Sequence, residues 1–197
     1  MPLVKPLPNS EVPADLSDFF AITLGVTPNS IRTMSHRPAI ASAFTNLNRA
    51  VMENHGELTS ELKRLIGYIA STTSGCRYCQ AHTTLAATRF GTTDARLNDI
   101  WKFRESEHFS AAEKVAFELA IAAASVPNAV DKALQERLQE HWSDGDIVEI
   151  MAVIALFGYL NRWNDSMATT LEQAPTESAE EHLAERGWRV GKHARER

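Results

Sequence analysis

The chain has 197 residues, 20 basic and 25 acidic, for a net charge of −5; 44% are hydrophobic and 23% charged. The length suits one domain with its own core, and the apolar content excludes global disorder. The acidic balance argues against a binder of nucleic acid held by bulk positive charge. Twenty-seven alanines against 17 glycines and prolines favour helices over a turn-rich β fold.

Residues 1–13 are proline-rich and read as an extended arm without the apolar core of a signal peptide, so a cytoplasmic location is expected. Asp15 to Leu24 reads as a short amphipathic helix ended by Gly25, and Asn29 or Ser30 caps a turn running to His36. Arg37-Pro38 breaks that turn. Ile40, Phe44, Leu47 and Val51 then recur at helical spacing up to Glu53.

Thr59 or Ser60 starts a helix with Leu62, Leu65, Ile66 and Ile69 on one face, which runs out at Thr73-Ser74-Gly75. Cys76 to Phe90 is a new helix closed by Gly91, and Asp94 to Phe103 a shorter one. Ser110 with Glu113 three residues on forms a capping box. Asp131 to His141 follows, and Ser143 or Asp144 caps the most apolar helix, Ile147 to Met167. Its apolar run to Leu160 is broken by Glu149 and is too short for a membrane span. Ala174 onward is charged: Glu177 to Arg186 reads as helical, and Arg189, Lys192, Arg195 and Arg197 form a basic tail. The sequence thus predicts an all-α protein of about eight helices: an arm (1–13), a helical domain (14–173) and a charged tail (174–197).

A shift of 85 positions sets Leu62 on Ile147, Leu65 on Ile150, Ile69 on Ile154, Cys76 on Asn161 and Cys79 on Asn164. This suggests two similar helical halves, of which only the first carries thiols. It also sets Arg64 on Glu149.

Cys76 and Cys79 are the only cysteines. A pair this close cannot staple a distant loop, and in a reducing compartment it reads as redox-active or metal-binding. Spaced i, i+3 in a first helical turn, the thiols suit a disulfide. Free N–H groups and the helix dipole there favour thiolate. His82 stands one turn past Cys79, placed to take a thiol proton, and Arg77 and Tyr78 flank the pair. Structural zinc wants four ligands and only three cluster here; no cofactor or metal is expected. The other histidines, His36, His55, His108, His141, His182 and His193, read as surface or helix-end residues, and the four tryptophans as packing anchors. Asn161, Arg162, Asn164 and Asp165 form a polar cluster that is either a solvated helix end, a subunit contact or part of the redox pocket.

On three segments the sequence resembles the alkylhydroperoxidase D-like, peroxidase-related branch of the carboxymuconolactone decarboxylase family. They are Gly25-Val26-Thr27-Pro28-Asn29, Ser74 to His82, and Ala155 to Trp163. The resemblance implies an all-helical fold and a homo-oligomer. It also implies a hydroperoxide-reducing dithiol oxidoreductase in which Cys79 attacks the peroxide, Cys76 resolves, His82 relays the proton, and an external dithiol restores the pair. The family's histidine lies four residues after the second cysteine, where this chain has Thr83. Its relay glutamate falls on Arg64, leaving Glu61, Arg64, Glu149 and Tyr78 as candidates for relay or thiolate stabilisation. The alternative is a non-catalytic helical oligomer with a redox-sensing or structural cysteine pair.

Overall fold

The computed structural model describes residues 1–195; Arg197, the last residue of the expected basic tail, lies outside them. Among the described residues there are ten α-helices and no strand. They are α1 (Ala14–Leu24), α2 (Asn29–Met34), α3 (Pro38–Met52), α4 (Ser60–Thr73), α5 (Arg77–Arg89), α6 (Asp94–Asp99), α7 (Ala111–Ala124), α8 (Lys132–Gln139), α9 (Asp144–Met167) and α10 (Gln173–Leu183). The starts follow the capping residues: Thr59 accepts from the Leu62 N–H, and Ser110 and Ser143 form reciprocal boxes with Glu113 and Asp146. Asp94 to Phe103 is not one helix, because the chain tightens after Asp99 into a 3₁₀ turn, Ile100–Lys102.

The centre of the molecule is α4, packed against α5, α7 and α9. Leu65, Ile66, Ile69 and Ala70 are fully buried, and each larger one contributes about 1.5–3 kcal/mol by leaving water. The crossing of α4 and α9 depends on a missing side chain: a Cβ on Gly67 would lie 2.3 Å from Cε2 of Phe157. A buried cation adds a polar tie: Lys63 donates to the Val51 carbonyl at 2.8 Å and to that of Glu53, and pairs with Glu149 of α9.

The segments flanking the helical domain are part of the fold. In the arm, the Leu3 N–H donates to Met167 O at 2.8 Å and the Leu7 N–H to Arg32 O. The expected charged tail instead packs onto α5 through α10, with Ala179, Leu183, Trp188 and His193 buried. Trp188 Nε1 donates to Arg77 O at 3.2 Å, holding the start of α5. Sequence periodicity missed this because α10 buries a narrow stripe of small residues beneath a charged face. No helix among the described residues is long and apolar enough to cross a membrane.

Candidate active site

Gly75 creates the site. It sits at φ 76°, in the left-handed region that glycine adopts without cost. Its N–H donates to Thr72 O and the next N–H, of Cys76, to Ser71 O, both at 3.0 Å, which closes α4 in a Schellman motif. The same Cys76 is the N-cap of α5, its Sγ accepting from the Cys79 N–H at 3.4 Å. One residue thus ends α4 and begins α5. In the stretch 85 positions later α9 continues without a break, through Asn161 and Asn164.

Both cysteines are buried free thiols. Cys79 lines a cavity of about 360 Å³, and Cys76 stands behind it, outside the lining. Burial pushes the Cys79 thiol well up; the hydrogen bond with Cys76 and its charge act in the same direction, while a bond from Asn164 Nδ2, 3.5 Å from Cys79 Sγ, opposes them. Burial thus acts against the thiolate that the helix start was expected to favour. Asn164, from the polar cluster at the end of α9, lines the cavity beside Cys79.

His82 lies one turn along α5 and also lines the cavity. Its Nε2 is 2.7 Å from Glu172 Oε2. Glu172 is further held by the Tyr78 hydroxyl, which donates to Oε1 at 2.9 Å, and by the Asn29 N–H of α2. Burial raises the Glu172 carboxyl, but the charge and hydrogen bond of His82, with the Asn29 N–H, outweigh it and hold its pKa below the ordinary glutamate value. Tyr78 is pushed well up, by burial first and then by Glu172, so it stays a neutral donor. Its ring packs on the His82 ring, with centroids 4.6 Å apart. With Nε2 held by a carboxylate, a neutral His82 presents Nδ1 as its open acceptor.

The chain reaches Glu172 through a sharp reversal. Ala168 closes α9 at φ 47°, in a region that L-residues rarely adopt. The following segment returns to α2, where Thr170 O accepts from Asn29 Nδ2 at 2.8 Å. Sequence reasoning missed Glu172: α10 was expected to begin at Glu177, whereas Glu172 is its N-cap. The available signal was Pro175, a residue tolerated in a first turn.

The other candidate carboxylates lie elsewhere. Glu61 pairs with Arg96 at 2.8 Å, Glu149 is taken by Lys63, and neither lines the cavity. Arg64 does line it, and Glu149, its counterpart in the 85-residue shift, pairs with Lys63 instead. Much of the remaining wall is apolar, including Phe19, Phe20, Ile31, Phe44, Phe90 and Phe157. His193, expected at the surface, is buried, with Nδ1 2.8 Å from Thr169 O and its ring 5.9 Å from that of Tyr78.

Fold and thiol site together define the class: the chain belongs to the carboxymuconolactone decarboxylase family, which residues 38–122 match, and its fold is the AhpD-like one. Among solved structures it is similar to the debrominase Bmp8, at 32% identity and a TM-score of 0.84, over 91% of this chain and 96% of that one; that crystal is of a cysteine-to-alanine variant in complex with 2,3,4-tribromopyrrole. The fold is shared with the AhpD core of a peroxidase-related protein from Ralstonia eutropha, at 21% identity and a TM-score of 0.73, over 86% of this chain and 92% of that one. The uncharacterized protein YnjA of Escherichia coli is 36% identical over 93 residues, 47% of this chain and 50% of YnjA. The match therefore spans half the length of that relative.

Proposed function

We propose that the chain is a dithiol oxidoreductase that reduces an organic hydroperoxide held in the apolar cavity. The observation that carries this reading is the arrangement of Cys79 on the cavity wall, Cys76 behind it, and the Glu172–His82 pair one turn along. Because burial disfavours the Cys79 thiolate, the thiol is served by a base at the moment of attack. His82 supplies it, and Glu172 stabilises the imidazolium that forms. The Cys79 sulfur attacks the terminal peroxide oxygen, the O–O bond breaks, and the alcohol leaves with the proton returned by His82. Cys79 is then a sulfenic acid. The Cys76 sulfur attacks it, the S–S bond forms and water leaves; an external dithiol exchanges with the disulfide and restores both thiols.

A second reading has its own support in the likeness to the debrominase, which extends over most of both chains, and in an aromatic-lined cavity suited to a flat apolar ring. The same two thiols balance a reductive dehalogenation. Two electrons from the dithiol and one proton replace carbon–halogen by carbon–hydrogen, halide leaves, the second proton is released, and the disulfide forms.

One experiment tests both. The reduced protein is mixed with cumene hydroperoxide or with a polybrominated pyrrole, and intact mass and bromide release are followed. Loss of two hydrogens on hydroperoxide alone supports the first reading; loss with bromide release on the pyrrole alone supports the second. Oxidation by neither supports the structural-cysteine alternative. Undiminished hydroperoxide consumption by Cys79→Ser overturns the assignment of Cys79.

A further inference from the structure

The cavity holds a cation with no counter-charge. Arg64 of α4 is 6% exposed and lines the same cavity as Cys79. Its Nη1 donates to Ser60 O at 3.0 Å, and its guanidinium lies 3.9 Å over the Phe90 ring. Among the described residues no carboxylate comes within ion-pair distance of it. Two other buried or half-buried cations are paired with carboxylates: Arg96 has Glu61 and Glu113, and Lys63 has Glu149. Burial alone pulls Arg64 down to about 10, with no acidic neighbour to offset it. A guanidinium carries five N–H donors in a planar fork. One is used here, which leaves the fork with unused donors at the wall of an otherwise mostly apolar cavity.

A desolvated cation without a partner costs folding free energy, and such a cost persists where a ligand removes it. The remaining charged groups on the cavity wall do not. Arg49 is exposed and stacks on Phe19 at 4.7 Å, and Glu53 is exposed and pairs with neither arginine. His82 is already held by Glu172.

We propose that Arg64 binds an anionic group of the substrate, so that the cavity selects apolar organic acids whose reducible centre is presented to Cys79. This rests on the reading of the cavity as a substrate site. Carboxylates suit the fork best, through paired N–H···O bonds that an ammonium cannot make. In this chain the position of the family's relay glutamate therefore has a recognition role, and the carboxylate beside His82 comes from Glu172.

Calorimetry of the reduced wild-type chain with naphthalene-2-carboxylate and naphthalene-2-carboxamide tests this without turnover. The carboxylate is expected to bind at least about tenfold more tightly. Arg64→Gln should bring the two affinities within twofold, while Arg64→Lys keeps part of the preference, with thermal melts by circular dichroism showing that each variant is folded. If Arg64→Gln does not fold, Arg64→Met, which keeps the stem over Phe90, takes its place. Equal affinities in the wild type, no carboxylate binding at millimolar concentration, or a preference that survives in Arg64→Gln overturns the proposal. Failure of the dithiol chemistry would show in the mass experiment and leave this readout intact.

Discussion

Asn164 Nδ2 donates to Cys79 Sγ at 3.5 Å, so two residues that the 85-position shift sets in correspondence meet in space. The packing of α5 on α9 brings them together. Among the groups acting on Cys79, this donor is the one that favours thiolate. Alkylation by iodoacetamide should therefore be slow at pH 7 relative to a free cysteine and should accelerate above the usual thiol pKa of about 8.5. Asn164→Leu should slow it further. Mass mapping of Cys79 across pH 6–10 checks both, and a faster reaction in Asn164→Leu would contradict the assignment.

Glu172→Gln should leave a folded protein with an impaired proton relay. The amide still meets Tyr78 and Asn29 but gives His82 no charge. Loss of such an orienting carboxylate typically costs about 10- to 100-fold. Stopped-flow measurement of disulfide formation on hydroperoxide is the check. Unchanged rates would exclude a role for Glu172 beyond structure.

Acid stability should fall in two stages. His193 is held low, first by burial, so the unfolded chain takes its proton more readily. Its contribution is complete above the ordinary histidine pKa of about 6.5 and fades as pH falls through the lower folded value. Glu172 is also held low, so its contribution is complete above about 4.3 and fades as pH falls through its own folded value. Urea midpoints from pH 7 to 3 should show both losses. His193→Asn should flatten the upper limb and Glu172→Gln the lower.

Gly67→Ala should destabilise by about 1–3 kcal/mol, the range for overpacking, because its Cβ meets the Phe157 ring rather than the end of a flexible chain. Adding Phe157→Leu should recover part of the loss. Denaturant unfolding of the four species gives the coupling, and additive losses would refute the contact.

The homo-oligomer implied by the family resemblance is tested by light scattering. A mass of 21.9 kDa at every dilution rejects it. The apolar residues of α9 divide between core, cavity and surface. In the structure Phe157 is buried and Leu160 lines the cavity, whereas Val148, Met151 and Tyr159 are exposed. If an oligomer forms through this face, Val148→Asp with Met151→Asp should yield a folded, smaller species.

The legible parts of this protein are those in which local chemistry suffices. Ser110 with Glu113, Gly75 before Cys76, and the i, i+3, i+4 face of α4 announce themselves because caps and amphipathic stripes act within a few residues, whereas in α3 Ile40 and Leu47, expected on the same face as Phe44 and Val51, are exposed and Ala41 and Thr45 are buried instead. Glu172 was illegible because its partners are 90 to 143 residues away and nothing around it differs from a surface acid. The state of Cys79 was misjudged because a first-turn position is visible in sequence while depth of burial is not. Glu61 and Glu149 lie off the cavity for a related reason: Arg96 and Lys63 pair with them through packing that no spacing rule describes.

The separation between His82 and Glu172 also bears on how the protein is made. Synthesis runs from the N-terminus at about 5–20 residues per second. Cys76, Cys79 and His82 are therefore joined for several seconds before their carboxylate exists, since it follows His82 by 90 residues. Leu3 must wait longer still for Met167. A ribosome-bound chain thus carries its thiols before the carboxylate that holds His82, and that contact forms only once Glu172 has been made.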